Sequence, residues 1–94
     1  MAKFTKVENE SKELFYLFWC PGCEYAHFIQ VNPAHEPCWN WNGDLEKPTV
    51  SPSLRVQGTN LCHSFIREGK IEFLSDCDHK LKGQTVEIPN WDGF

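Results

Sequence analysis

Cys20-Pro21-Gly22-Cys23 holds two thiols two residues apart on a turn, the spacing of half a tetrahedral metal site. Pro21 presets the φ of a first turn corner, and Gly22 is expected to supply the positive φ of a type II second corner. Two further cysteines each lie close to a histidine, in Cys62-His63 and Cys77-Asp78-His79. A lone Cys-x-x-Cys also has redox spacing, but no βαβ pattern surrounds this one. Cys20, Cys23, Cys62 and Cys77 are therefore the expected ligand set, with His27 and His79 as alternatives for the fourth position. His63 cannot easily share that ion, because neighbours on a strand project to opposite faces. Thiolate-rich sets favour Zn2+ over Ca2+ or Mg2+, which take oxygens. Four closed thiolates would be structural, since catalysis at zinc needs an open coordination position. The competing reading makes the thiols plain buried apolar groups, although Pro-Gly between two of them is poor packing material.

Size makes the metal matter. Ninety-four residues form one domain, 1–94, with no room for a second core. Such a domain has a net stability of ~5–15 kcal/mol, whereas a structural zinc is worth ~10–16 kcal/mol in small peptides. Five cysteines exclude a fully paired disulfide framework within one chain, and four ligands plus one spare thiol fit a reducing compartment. Cys38, between Pro37 and Trp39, is the expected spare and a small apolar filler. Nine basic against thirteen acidic residues, a formal net charge of −4, argue against a nucleic-acid surface. The longest apolar run, residues 14–20, is too short to span a bilayer, and its flanks do not read as a signal peptide. A cytoplasmic location without membrane contact follows as the expectation.

The elements that must position these groups read as short strands. Residues 14–19 and 24–31 form a hairpin whose tip is the Cys-Pro-Gly-Cys turn, after a first short run at 4–7. Asn32 to Pro37 is a loop with a proline near each end. Trp39 and Trp41 share one face of the next strand and are expected in the core. Asn42-Gly43 is the strongest turn signal in the chain. Two prolines four apart make 47–53 an extended edge or an ordered loop, not a central strand. Residues 54–57 and 61–67 flank Gly58-Thr59-Asn60 as a second hairpin, and Glu68-Gly69 turns the chain into 70–74. Residues 75–82 form a polar loop or a single helical turn ended by Gly83, and 85–88 close the set. Trp91 and Phe94 are expected to pin the tail. The class is all-β: a small zinc-stapled sheet of short antiparallel hairpins with at most one or two helical turns.

Several motifs recur together in this order: Phe18-Trp19-Cys20-Pro21-Gly22-Cys23, Trp41-Asn42-Gly43-Asp44, Lys47-Pro48-Thr49-Val50-Ser51-Pro52-Ser53-Leu54, Cys62-His63-Ser64-Phe65-Ile66 and Asp76-Cys77-Asp78-His79. With them the chain resembles a family of small phage and prophage proteins, many labelled "ammonia monooxygenase", although nothing here resembles a copper or iron monooxygenase. That family is similar to the peptidase (BubE-like) component of bacterial ubiquitin-like conjugation operons. The resemblance implies a phage or prophage protein of the bacterial host's cytoplasm. It further implies a zinc-stabilised serine peptidase that cuts after the C-terminal tail of a ubiquitin-like protein.

A serine nucleophile needs a base within hydrogen-bond reach and a third group to orient that base. His63 is the best base, because a regular strand fixes its direction. Ser64, its neighbour, faces away towards the side of Cys62, so a partner from another segment is geometrically easier. Ser53, in the rigid Ser51-Pro52-Ser53 stretch, is the preferred nucleophile; Ser64 and Ser51 follow. Asp76, or else Asp44, could orient the imidazole. Two other readings remain beside the enzyme: a non-catalytic, zinc-stapled phage interaction module, and a zinc hydrolase with His63 or His79 at an open site.

Overall fold

Short apolar runs separated by turn residues give eight strands: β1 (Thr5–Glu8), β2 (Leu14–Cys20), β3 (Tyr25–Ile29), β4 (Asn40–Trp41), β5 (Val50–Gln57), β6 (Leu61–Arg67), β7 (Lys70–Phe73) and β8 (Thr85–Glu87). They are taken from a computed structural model that describes residues 2–8, 10–32, 34, 38–58 and 60–91. The fold is all-β, with no helix among the described residues. The strands form two antiparallel sheets, β1-β2-β3 and β4-β5-β6-β7-β8. Their inward residues meet in one core, to which Phe4, Phe18 and Ile29 contribute from the first sheet's side and Val50, Leu54, Ile66, Ile71 and Phe73 from the second. Phe4 and Phe18 stack at 5.5 Å, and Trp41 lies 4.3 Å from Tyr16 at the margin. Trp39 and Trp41 are half-buried flanks of that core. No helix among the described residues is long and apolar enough to cross a membrane.

The β2–β3 hairpin runs in register from Tyr16↔Ile29 to Cys20↔Tyr25, with the Cys20-Pro21-Gly22-Cys23 turn at its tip. The turn is not the type II corner that the sequence suggests. Cys20 O accepts from Glu24 N–H at 2.8 Å, and Glu24, at φ 62°, takes the left-handed position instead of Gly22. Gly22 is required for another reason: a Cβ there would overlap the His79 ring. That ring is fixed by Phe73, 4.5 Å away edge-on, so it has little freedom to yield.

In the second sheet, Glu68 (φ 50°) and Gly69 (φ 81°) make the two-residue turn joining β6 to β7, both in the left-handed region that a type I′ hairpin demands. Asn42-Gly43 instead opens a longer connection, residues 42–49. Asn42 Oδ1 accepts from the N–H groups of Asp44 and Thr49, and Asp44 Oδ1 from those of Glu46 and Lys47. The prolines predict an edge or loop over 47–53, yet β5 lies between β4 and β6. Pro52 is tolerated because the β5–β6 ladder shifts register between Val50 and Leu54, and β4 pairs only with Val50 and Ser51. The proline thus falls where no ladder bond is needed.

Residues 75–82 form turns and no helix, closed by Gly83 at φ 77° with its N–H on Phe73 O. Trp91 pins the tail, its N–H on Ala2 O at 2.9 Å and its ring 5.9 Å from Trp19. Phe94, and Pro33, His35, Glu36 and Pro37 of the predicted loop, lie outside the described residues.

Candidate active site and metal centre

Alternation along β6 decides which side chains meet. Cys62, Ser64 and Ile66 are buried, while Leu61, His63 and Phe65 occupy the outward face. Arg55 on β5 sits opposite His63, so Ser53, two residues earlier, shares that face and reaches His63 diagonally. Ser53 Oγ lies 3.0 Å from His63 Nε2. On the other side of the ring, His63 Nδ1 is 3.0 Å from Asp76 Oδ2.

These two contacts fix the protons. An ionised carboxylate can only accept, so Nδ1 carries the hydrogen facing Asp76. A neutral imidazole then presents a lone pair at Nε2, and the Ser53 hydroxyl donates to it. The arrangement can draw a proton from Ser53 while the carboxylate steadies the imidazolium that results. His63 is one-quarter exposed and Asp76 about half exposed at 51%, leaving the chain of groups accessible from solvent.

Cys77 holds this geometry from beneath. Its thiol donates to His63 O at 3.1 Å and receives His63 N–H at 3.2 Å, while Leu74 N–H reaches the same carbonyl at 2.9 Å. The residue next to Asp76 is thereby clipped to the main chain of the base. No sequence signal announces such a clip, because a thiol bonded to backbone has no characteristic spacing.

The other candidates stand elsewhere. Ser64 is fully buried on the core face, away from the imidazole, and its Oγ has no partner among the described residues. Ser51 is exposed opposite Asn40. Asp44 caps the 42–49 loop, where the N–H groups of Lys47 and Glu46 hold its carboxyl below the usual range.

Four buried residues, Cys20, Cys23, His27 and Cys62, bring their ligand atoms within 4.8 Å of one another and could hold a metal ion. Three of the four expected sulfurs are in this group, and His27, an alternative for the fourth position, stands in the place expected first of Cys77. His27 lies on β3, two residues beyond the strand's start, and Phe18 and Tyr25 pack edge-on against its ring. Its Nε2 is buried without a hydrogen-bond partner among the described residues, a costly state that a metal ion would relieve.

Cys20 Sγ and Cys62 Sγ are 3.9 Å apart. That is far from the ~2.05 Å of a disulfide and close to the ~3.8 Å edge of a tetrahedron with ~2.3 Å metal–sulfur bonds. Donation from the Cys62 thiol draws Cys20 down to about 4, and that same shared proton together with burial pushes Cys62 up. Burial, then the Cys20 charge, raises Cys23 to about 11. A dication bound there would favour the thiolate form of all three sulfurs.

A second group, Cys62, Cys77 and His79, shares one sulfur with the first. The Cys77 thiol bonds the His63 backbone, and His79 Nδ1 accepts from Leu81 N–H at 3.2 Å, while His79 Nε2, like that of His27, is buried without a hydrogen-bond partner among the described residues. Cys38, the expected spare, belongs to neither group; its thiol makes a long 3.9 Å contact to Trp39 O.

Neither a curated protein nor a solved structure matches the chain. A family model does, over residues 2–74, a span that takes in the metal cluster, Ser53 and His63 and stops short of Asp76. With the Ser–His pair inside the matched region, the chain belongs to the bacterial ubiquitination-like system serine protease (BubE) family.

Proposed function

We propose that this chain is a serine peptidase cutting after the C-terminal tail of a ubiquitin-like protein, with Ser53 as nucleophile, His63 as base and Asp76 orienting His63. The observation that carries this reading is the continuous Ser53–His63–Asp76 hydrogen-bond chain, 3.0 Å at each link. Ser53 Oγ attacks the tail's scissile carbonyl as its proton passes to His63 Nε2. Collapse of the tetrahedral intermediate breaks the C–N bond, and the same proton goes to the departing amine. The Ser53 ester is then attacked by water, which gives its proton to His63 and restores the hydroxyl. Backbone N–H groups near Ser53 would have to steady the oxyanion.

The buried cluster has a structural role in this reading. Its three sulfurs and one imidazole suit Zn2+ better than oxygen-seeking cations. Four protein donors leave no open position, so zinc would hold the frame and take no part in peptide cleavage.

The test is a fusion of a bacterial ubiquitin-like protein to a reporter through its C-terminal tail. The wild-type chain should release the reporter, and Ser53→Ala should not. Release by Ser53→Ala would remove the assigned nucleophile. No release by the wild type would favour a non-catalytic interaction module.

A further inference from the structure

A groove of about 700 Å³ lies between β3 and β5, within the ~300–1,000 Å³ of ligand clefts, and is lined on the β5 side from Leu54, the residue after Ser53, to Gln57. Among the described residues, both walls end in strand edges that no further strand pairs. There β3 pairs only with β2, and its far side faces β5 through Trp39, whose N–H donates to Gln30 O at 2.9 Å. β5 is covered by β4 only at Val50 and Ser51. From Ser53 to Gln57, no strand among the described residues pairs with its side away from β6.

The direction of the Arg55 backbone follows from His63. Both main-chain groups of His63 turn away from β5, the N–H to Cys77 Sγ and the carbonyl to Leu74 N–H. In an antiparallel ladder this makes Arg55–His63 a non-hydrogen-bonded pair. Arg55 N–H and C=O must therefore point the other way, into the groove. Ser53 O points there too, since Trp39 Nε1 reaches it at 3.4 Å.

We propose that the tail of the polypeptide being cut binds as an added strand along this edge, pairing with the Arg55 main chain. This rests on the serine-peptidase reading above. Main-chain pairing supplies affinity and register, as in other strand-addition complexes. Ser53 is two residues from Arg55, so a strand in register there brings one of its carbonyls beside Ser53 Oγ. Phe28, 57% exposed on the opposite wall, gives the tail's side chains an apolar surface to cover. A folded loop or a small metabolite has no use for a row of main-chain donors and acceptors, whereas an extended peptide does.

The decisive experiment uses the wild-type chain and synthetic peptides of the tail, each N-methylated at one backbone amide. Added-strand binding predicts losses of about tenfold or more in kcat/KM at alternate residues, because every second amide donates to the edge. Uniform tolerance, or losses without a period of two, would overturn the added strand. Arg55→Pro, which deletes one groove-facing donor and no β5–β6 bond, should raise KM for the unmethylated peptide about tenfold. A KM within twofold of wild type would likewise count against it. A wild-type chain that takes a fluorophosphonate at Ser53 but cuts no extended peptide overturns this proposal alone. One that does neither overturns the peptidase reading beneath it.

Discussion

His63→Ala will lower kcat/KM for tail cleavage by about 10⁴–10⁶-fold, the range over which triad members act as a unit. The alanine removes the acceptor 3.0 Å from Ser53 Oγ and leaves Asp76 without its imidazole. Little of the fold goes with it. His63 is on the outward face of β6, and the bonds that tie it to Cys77 and Leu74 are main-chain bonds that alanine retains. Circular dichroism and Tm should stay near wild type while activity vanishes. Asp76→Asn should cost less than the ~10⁴-fold of a buried triad carboxylate, because half of Asp76 is open to water and its field is screened. Steady-state cleavage of the reporter fusion checks both variants. Equal, small losses would mean that the hydrogen-bond chain is structural.

Removing the proposed zinc is the second large effect, and it should act on the fold. The two sheets are joined in sequence only through the segment between β3 and β4. The ligand cluster bridges them in space, with Cys20, Cys23 and His27 from the β2–β3 hairpin and Cys62 from β6. A structural zinc contributes ~10–16 kcal/mol in peptides, comparable with the entire ~5–15 kcal/mol stability of a small domain. Chelation, or Cys62→Ser, should therefore abolish the cooperative thermal transition, and added Zn2+ should restore it only to the chelated wild type. Cys38→Ser should leave Tm almost unchanged, because that thiol lies outside the cluster. Stoichiometric metal analysis with melting curves checks this. A chain that melts cooperatively with clearly substoichiometric metal would contradict it. Loss of cleavage on chelation would follow indirectly, since Cys62 immediately precedes His63.

Local signals were legible in the sequence and long-range choices were not. Proline, glycine and alternation marked the hairpins around Cys20–Cys23, 58–60 and Glu68-Gly69, because turn chemistry acts over four residues or fewer. Alternation on β6 also separated His63 from Ser64, which the structure puts on opposite faces. The choice of His27 over Cys77 depends on how two sheets approach, and no spacing encodes that. Gly22 illustrates the same limit. Its type suggests a φ requirement, whereas the real constraint is the His79 ring, from more than fifty positions later. Pro52 misled for a related reason: extra residues in β5 itself, between Val50 and Leu54, made room for it inside the sheet, whereas Pro48 lies in the loop that it suggests.

Treating the wild-type chain with a fluorophosphonate and locating the adduct by mass spectrometry tests the Ser53–His63–Asp76 assignment most directly. One adduct per chain, on Ser53 and lost in His63→Ala, is the predicted result. A chain that stays unmodified, or that carries its adduct on Ser51 or Ser64 instead, would contradict the assignment.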